Sequence, residues 1–150
     1  MSVFSLALDP GKKNTQYMHE VWEIEQGLPQ NAVYTIVQTR EGYLWLGTEE
    51  GLVRFDGVHF EIYDKRKVKQ LTNNKIYALC EDREGNLWIG TYGGGLTRLD
   101  TKNGKFTTFT EKQNLLSNNQ VTKLCEDNEG NLWIGTESGL NRMKAGKITG

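Results

Sequence analysis

Apolar residues in this chain come in short clusters separated every few positions by glycine, asparagine or aspartate, and no stretch keeps the spacing of a helix face. The cluster Lys75-Ile76-Tyr77-Ala78-Leu79-Cys80 is nearly all apolar, as a strand covered on both faces should be. In Leu87-Trp88-Ile89-Gly90-Thr91 the pleat sends Leu87, Ile89 and Thr91 to one face and Trp88 and Gly90 to the other. An indole beside a glycine suits sheets packed face to face, because glycine inside a strand marks close approach by another segment. Lys105-Phe106-Thr107-Thr108-Phe109 mixes polar and apolar positions, as an outer strand does. These patterns predict four strands, over 75–81, 86–91, 95–100 and 105–110.

The pattern recurs. Leu-Trp-Leu-Gly-Thr at 44–48 returns as Leu-Trp-Ile-Gly-Thr at 87–91 and 132–136, so Trp45, Trp88 and Trp133 are 43 and 45 residues apart. Asn31, Asn74 and Asn119 stand 14 residues before these tryptophans, Val33, Ile76 and Val121 stand 12 before, and Gly42, Gly85 and Gly130 stand three before. Arg54, Arg98 and Arg142 follow nine or ten residues after. A period of this size signals a repeat architecture. Each repeat carries its own turns. Asp82-Arg83-Glu84-Gly85 has the Asp and Gly that a type I turn prefers. Asp56-Gly57 and Asn103-Gly104 are hairpin signals between the third and fourth strands. Four antiparallel strands per repeat make a β-propeller blade, whereas the rungs of a β-solenoid are far shorter.

Charge is almost balanced, with 18 Lys+Arg against 19 Asp+Glu, so no basic face speaks for nucleic acid. No apolar run is long enough to span a membrane, and no membrane contact by this segment is expected. Met1 to Leu8 is apolar and includes the small-x-small spacing Ser5-Leu6-Ala7. Residues 1–14 are therefore either a signal-peptide remnant or a flexible N-terminus. Cys80 and Cys125 each precede a repeat tryptophan by eight residues. Equivalent points on stacked sheets lie about 10 Å apart, beyond the roughly 7 Å a disulfide tolerates. Both are expected to be free, small and buried.

The chemical candidates mostly dissolve into the fold. Asp82/Glu84 and Asp127/Glu129 repeat with the turns and lack the ligand spacing of a calcium loop. Gly93-Gly94-Gly95 precedes a strand and no Gly-Lys-Ser/Thr follows, so it reads as a loop insertion. His19 and His59 have no partner at metal-ligand spacing. No serine sits in a nucleophile elbow. No cofactor and no metal site is expected. The repeated asparagines read as caps of the loop before each first strand. The repeated arginines pair with acids or lie along apolar surface, or form a ring for an anion.

The pattern Asn-x-Val-x5–6-Asp-x2-Gly-Asn-Leu-Trp-Ile-Gly-Thr-x2-Gly-Leu-x-Arg resembles the two-component regulator propeller repeat, with the match closest over Gly42 to Gly57. Gln16 to Trp22 and Gly27 to Val33 resemble the usual start of that domain. The likeness covers residues 15–143. It implies the extracytoplasmic sensor region of a bacterial hybrid histidine kinase or diguanylate cyclase, periplasmic and membrane-anchored through later segments.

The expected architecture is thus all-β: a partial β-propeller over 15–150 with a lone strand at 17–23 and blades at 31–64, 74–110 and 119–150, the third incomplete. Three blades do not close a ring, since propellers use about four to eight. The chain is expected to be either a fragment of a longer one or half of a six-bladed ring of two copies. In that ring each lone strand would complete blade 3 of the other copy. Exposed blade flanks should promote self-association. Positions that differ between repeats at loop tips are free for recognition. The second-to-third-strand loops offer Glu49, Glu50, Tyr92, Glu137 and Ser138 as a ligand-binding set, on the same face as the loops before each first strand. The ligand is an unknown small molecule or carbohydrate, the latter implied by the family. The chain is not expected to be an enzyme. The competing readings are a fragment of a propeller lyase or hydrolase and a protein-interaction scaffold.

Overall fold

The computed structural model describes residues 20–113 and 115–149. It contains three four-stranded antiparallel sheets, each in simple meander order. Blade 1 is β1 (Val33–Gln38), β2 (Leu44–Thr48), β3 (Leu52–Phe55) and β4 (Phe60–Tyr63). Blade 2 is β5 (Ile76–Glu81), β6 (Leu87–Thr91), β7 (Leu96–Asp100) and β8 (Lys105–Phe109). Blade 3 is β9 (Val121–Glu126), β10 (Leu132–Thr136), β11 (Gly139–Lys144) and the three-residue β12 (Lys147–Thr149). The only helical elements among the described residues are single 3-10 turns at Ile24–Gln26 and Glu111–Gln113. The four predicted strands of blade 2 are each found within a residue, because period-2 patterning and turn residues are local signals.

The faces follow the pleat. Trp45 and Gly47 of blade 1 face blade 2, and Trp88 and Gly90 of blade 2 face blade 3. The first core therefore joins Trp45 and Leu52 to Ile76, Leu87 and Ile89. The second joins Trp88 and Leu96 to Val121, Leu132 and Ile134. The glycines are needed because the first strand of the next blade passes directly over them. A Cβ on Gly47 would lie 2.8 Å from the Ile76 carbonyl oxygen, and one on Gly90 would lie 2.6 Å from Val121 Cγ1. At Gly135 the nearest atom is 3.4 Å away and belongs to Lys123 of the same sheet.

Linkers between blades follow the same rule. Leu28, Leu71 and Leu116, each three residues before a repeated asparagine, are buried against the blade that follows. Asn31 Oδ1 accepts the Ile24 N–H at 3.0 Å, Asn74 Oδ1 the Lys65 N–H at 2.9 Å and Asn119 Oδ1 the Glu111 N–H at 2.7 Å. Loop capping is thus what the repeated asparagines do.

Two expectations need revision. Of the lone strand placed at 17–23, residues 17–19 lie outside the described residues, and Glu20 to Glu23 pair with no strand. Trp22 instead packs edge-on against Phe55, with ring centroids 5.5 Å apart, so this segment is held by a ring contact rather than by a sheet ladder. The cysteines are free, but they are not both buried: Cys80 is half-buried and Cys125 exposed. Both stand opposite the repeat tryptophan in register, on the face turned to the next blade. Cys80 has blade 3 over it, and Cys125 has no blade.

Candidate functional site

The strand ends define two faces. At one, the turns between first and second strands cluster. There Asp82 Oδ1 accepts the N–H groups of Glu84 (3.0 Å) and Asn86 (2.8 Å), while Oδ2 accepts the Asn86 side-chain amide (2.9 Å) and the Trp88 indole N–H (2.7 Å). Asp127 repeats the arrangement, taking the Trp133 indole N–H at 2.8 Å and the Asn131 amide at 2.8 Å. The acids of these turns are therefore structural: each satisfies its tryptophan's only polar atom, a role beyond the turn chemistry that the sequence suggested.

Hydrogen bonds from Asn131 and then from the Trp133 indole hold the Asp127 carboxyl well below its ordinary range. A depressed folded-state pKa gives stability that is complete above the unfolded value, near pH 4, and is lost as pH falls through the folded one. Asp127→Asn should therefore destabilise most near neutral pH. Its gap from wild type should close as urea melts are taken from about pH 5 to about pH 2.

Between blades at this face lies a repeated latch. Arg40 donates its backbone N–H to Glu81 (3.1 Å to Oε2) and its guanidinium to the carbonyls of Asp82 (2.8 Å) and Arg83 (2.7 Å). Arg83 does the same one blade on, to Glu126 (backbone N–H to Oε2 2.8 Å) and the Asp127 carbonyl (2.9 Å). The other repeated arginines stand opposite the tryptophans: Arg54 pairs with Glu61 at 2.7 Å, and Arg98 lies over the Trp88 ring. Arg142, opposite Trp133, is exposed. They sit against separate blades rather than forming one anion ring.

The opposite face carries the predicted recognition loops, and each is tied to the loop before its own first strand. The Glu49 N–H donates to Gln30 Oε1 at 3.2 Å, Asn73 Nδ2 donates to the Tyr92 carbonyl, and Asn118 Nδ2 donates to Ser138 Oγ at 3.1 Å. Glu49 and Tyr92 belong to one constellation. Tyr34 and Tyr77 meet edge-to-face at 5.0 Å, and Tyr77 and Tyr92 at 5.4 Å. Glu49 takes an ion pair from Lys75 and hydrogen bonds from Gln30 (3.4 Å) and Tyr34 (3.3 Å). Lys75 also lies 5.9 Å from the centre of the Tyr92 ring. Lys75 lowers the Glu49 pKa and is itself raised by Glu49, so both stay charged around neutral pH.

Tyr34 and Tyr92 are more than two-fifths exposed and present ring surface beside this pair. Such a surface offers stacking faces with fixed charge at their edge. Glu50 is exposed on the same loop as Glu49. Glu137 and Ser138 occupy the blade 3 loop, and among the described residues they share no ring contact or hydrogen bond with the tyrosine group. Tyr34, Tyr77, Lys75 and Gln30 were not singled out from sequence. A signal was present: Tyr34 and Tyr77 both stand eleven residues before their tryptophan, where blade 3 has Thr122.

The model for the two component regulator propeller matches at 27–50, 70–93 and 115–138. This chain is built of two-component regulator propeller repeats. The extracellular domain of a B. thetaiotaomicron protein described as a hybrid two component system superposes with a TM-score of 0.80 at 29% identity, over 87% of this chain and 20% of that one. A second B. thetaiotaomicron extracellular domain, described as from a one component system, gives 0.66 at 25% identity over 81% and 18%. Histidine kinase P4 of Formosa agariphila is 38% identical over 58 residues, which are 39% of this chain and 4% of that protein. The propeller repeats here thus span about a fifth of the length of these solved relatives. The virginiamycin B lyase of Staphylococcus aureus shares the fold at 18% identity, with a TM-score of 0.62. No helix among the described residues is long and apolar enough to cross a membrane.

Proposed function

We propose that this propeller segment is the extracytoplasmic, non-catalytic ligand-sensing part of a bacterial two-component receptor, with its ligand held over the tyrosine group at the loop face. The observation that carries the reading is the run of three edge-to-face tyrosines, two of them exposed, beside the Glu49–Lys75 pair. Exposed rings grouped on a rigid scaffold supply contact area at low entropic cost, and polar groups at their edge orient what binds. The relatives above, extracellular domains of signalling systems, support the setting. The same likeness supports periplasmic placement within a membrane-anchored receptor. The acids closest to convergence, Asp82 and Asp127, are consumed by their turns and tryptophans, which speaks against acid–base catalysis.

The ligand is a small molecule or carbohydrate whose apolar face stacks on Tyr92 and Tyr34 while a hydroxyl or amine reaches Glu49. Titrating a panel of neutral and anionic oligosaccharides and following tyrosine fluorescence or amide shifts tests this. Tyr92→Ala and Glu49→Gln should each weaken binding at least about tenfold, a loss of about 1.4 kcal/mol. Glu137→Gln should weaken it less. Binding that none of these substitutions changes would remove the site from this face.

A further inference from the structure

A groove lined by a repeat tryptophan and its arginine lies between blades 1 and 2, and again between blades 2 and 3. In each, the tryptophan, the arginine and the residue opposite it form one row across the second, third and fourth strands. Residues paired in this way carry their side chains on one face of the sheet. Between blades 1 and 2 the row is Trp45, Arg54 and Glu61. Glu61 pairs with Arg54 at 2.7 Å, and the Tyr43 ring centre lies 4.6 Å from the guanidinium. Between blades 2 and 3 the row is Trp88, Arg98 and Thr107. The acid has become a threonine, and Asn86 stands where Tyr43 does.

Arg98 is therefore left with no acid in its row. None of the ion pairs among the described residues includes it. Its Nε is buried and has no hydrogen-bond partner. The Trp88 ring, 6.0 Å from the guanidinium, attracts the charge through its face and leaves the in-plane donors unmet. Arg98 lines a cavity of about 130 Å³, far more than one water needs. Blade 2 adds Trp88 and Phe109 to the wall, and blade 3 adds Leu132 and Met143, so part of it is apolar. The other charged groups there already have partners. Arg83 is tied to Glu126 and the Asp127 carbonyl, Asp82 to Asn86 and Trp88, and Glu84 lies within 3.5 Å of the Asn86 amide.

We propose that this cavity binds a small monocarboxylate with a short apolar tail, its carboxylate on the Arg98 guanidinium and its tail against Phe109 and Met143. The planar guanidinium presents parallel N–H groups that match the two oxygens of a carboxylate. The bound carboxylate takes the place that Glu61 fills for Arg54. Asp82 and Glu84 on the same wall repel a second negative charge, which selects a monoanion over sulfate or phosphate. The cavity lies beside the Asp82–Glu84 turn, at the face opposite the tyrosine group, so the site is independent of the ligand proposed there. Its occupant touches both blades and adds to the joint between them.

Titration of the nitrogen-15-labelled chain with propionate, at ionic strength held constant with chloride, tests the proposal by NMR. The Arg98 Nε–H and the backbone N–H groups of Leu132 and Met143 should shift saturably, with a Kd on the order of millimolar. Sulfate should bind at least about tenfold more weakly. Thr107→Glu gives Arg98 the internal partner that Arg54 has and should abolish the propionate shifts. Arg98→Lys keeps the charge without the fork and should weaken binding at least about tenfold, read at Leu132 and Met143. Tyr92→Ala should change nothing. Folding of each variant is checked by circular dichroism. An Arg98 Nε–H that propionate does not move, shifts that chloride reproduces, sulfate binding tighter than propionate, or unchanged propionate binding in folded Thr107→Glu or Arg98→Lys overturns the proposal.

Discussion

Trp88→Ala is expected to lower the unfolding free energy by about 3–5 kcal/mol, the usual range for truncating a buried tryptophan. Trp88 is 4% exposed and lies between blades 2 and 3, packed on Phe109 and within the Leu96–Val121–Leu132 core. Its loss opens a cavity where two sheets meet, and it strips Asp82 of the indole donor at 2.7 Å. Trp88→Phe separates the two effects. It keeps most of the ring volume and removes the hydrogen bond, at about 1–2 kcal/mol. Trp133→Ala is the internal control. The same residue in the same turn is only half-buried there, so its truncation should cost about half as much or less. Urea denaturation of the three variants checks the series. A loss below about 1 kcal/mol for Trp88→Ala would mean that the indole does not hold blades 2 and 3 together.

Gly47→Val should cost about 3 kcal/mol, at the upper end of what overpacking does. The new Cβ would stand 2.5 Å from Thr35 Cγ2 and 2.8 Å from the Ile76 carbonyl oxygen. Thr35 belongs to the same sheet, but the Ile76 backbone starts the first strand of blade 2, and moving it parts the two blades. Gly135→Val, the same change at the equivalent position, should alter the stability of the isolated chain by about 0.5 kcal/mol or less. Measuring both by denaturation separates a glycine required by the neighbouring blade from one required by its own strand. Equal losses would place the requirement in the strand itself.

The candidate face was only partly legible from sequence. Glu49 and Tyr92 stood out because loop tips vary between repeats while the strand pentapeptide does not. Yet Glu49 is no free acceptor: Lys75, 26 residues away on the next blade, holds it. Tyr77 looked like one more apolar strand residue, although it bridges Tyr34 and Tyr92. Contacts of this kind cross from blade to blade, and nothing in the spacing of one repeat shows them.

What the sequence determined by itself was whatever acts within about ten residues: strand lengths, the alternation that puts Trp88 and Gly90 on one face, the Asp82 turn and the asparagine caps. These depend on backbone geometry and short-range hydrogen bonds, which repeat wherever the motif repeats. The tertiary structure alone decided burial. Cys80 and Cys125, Leu96 and Leu140, Trp88 and Trp133 occupy identical places in their repeats and have different exposures. Each is covered or open according to whether another blade lies against its face, and burial depends on that neighbour rather than on the residue or its repeat.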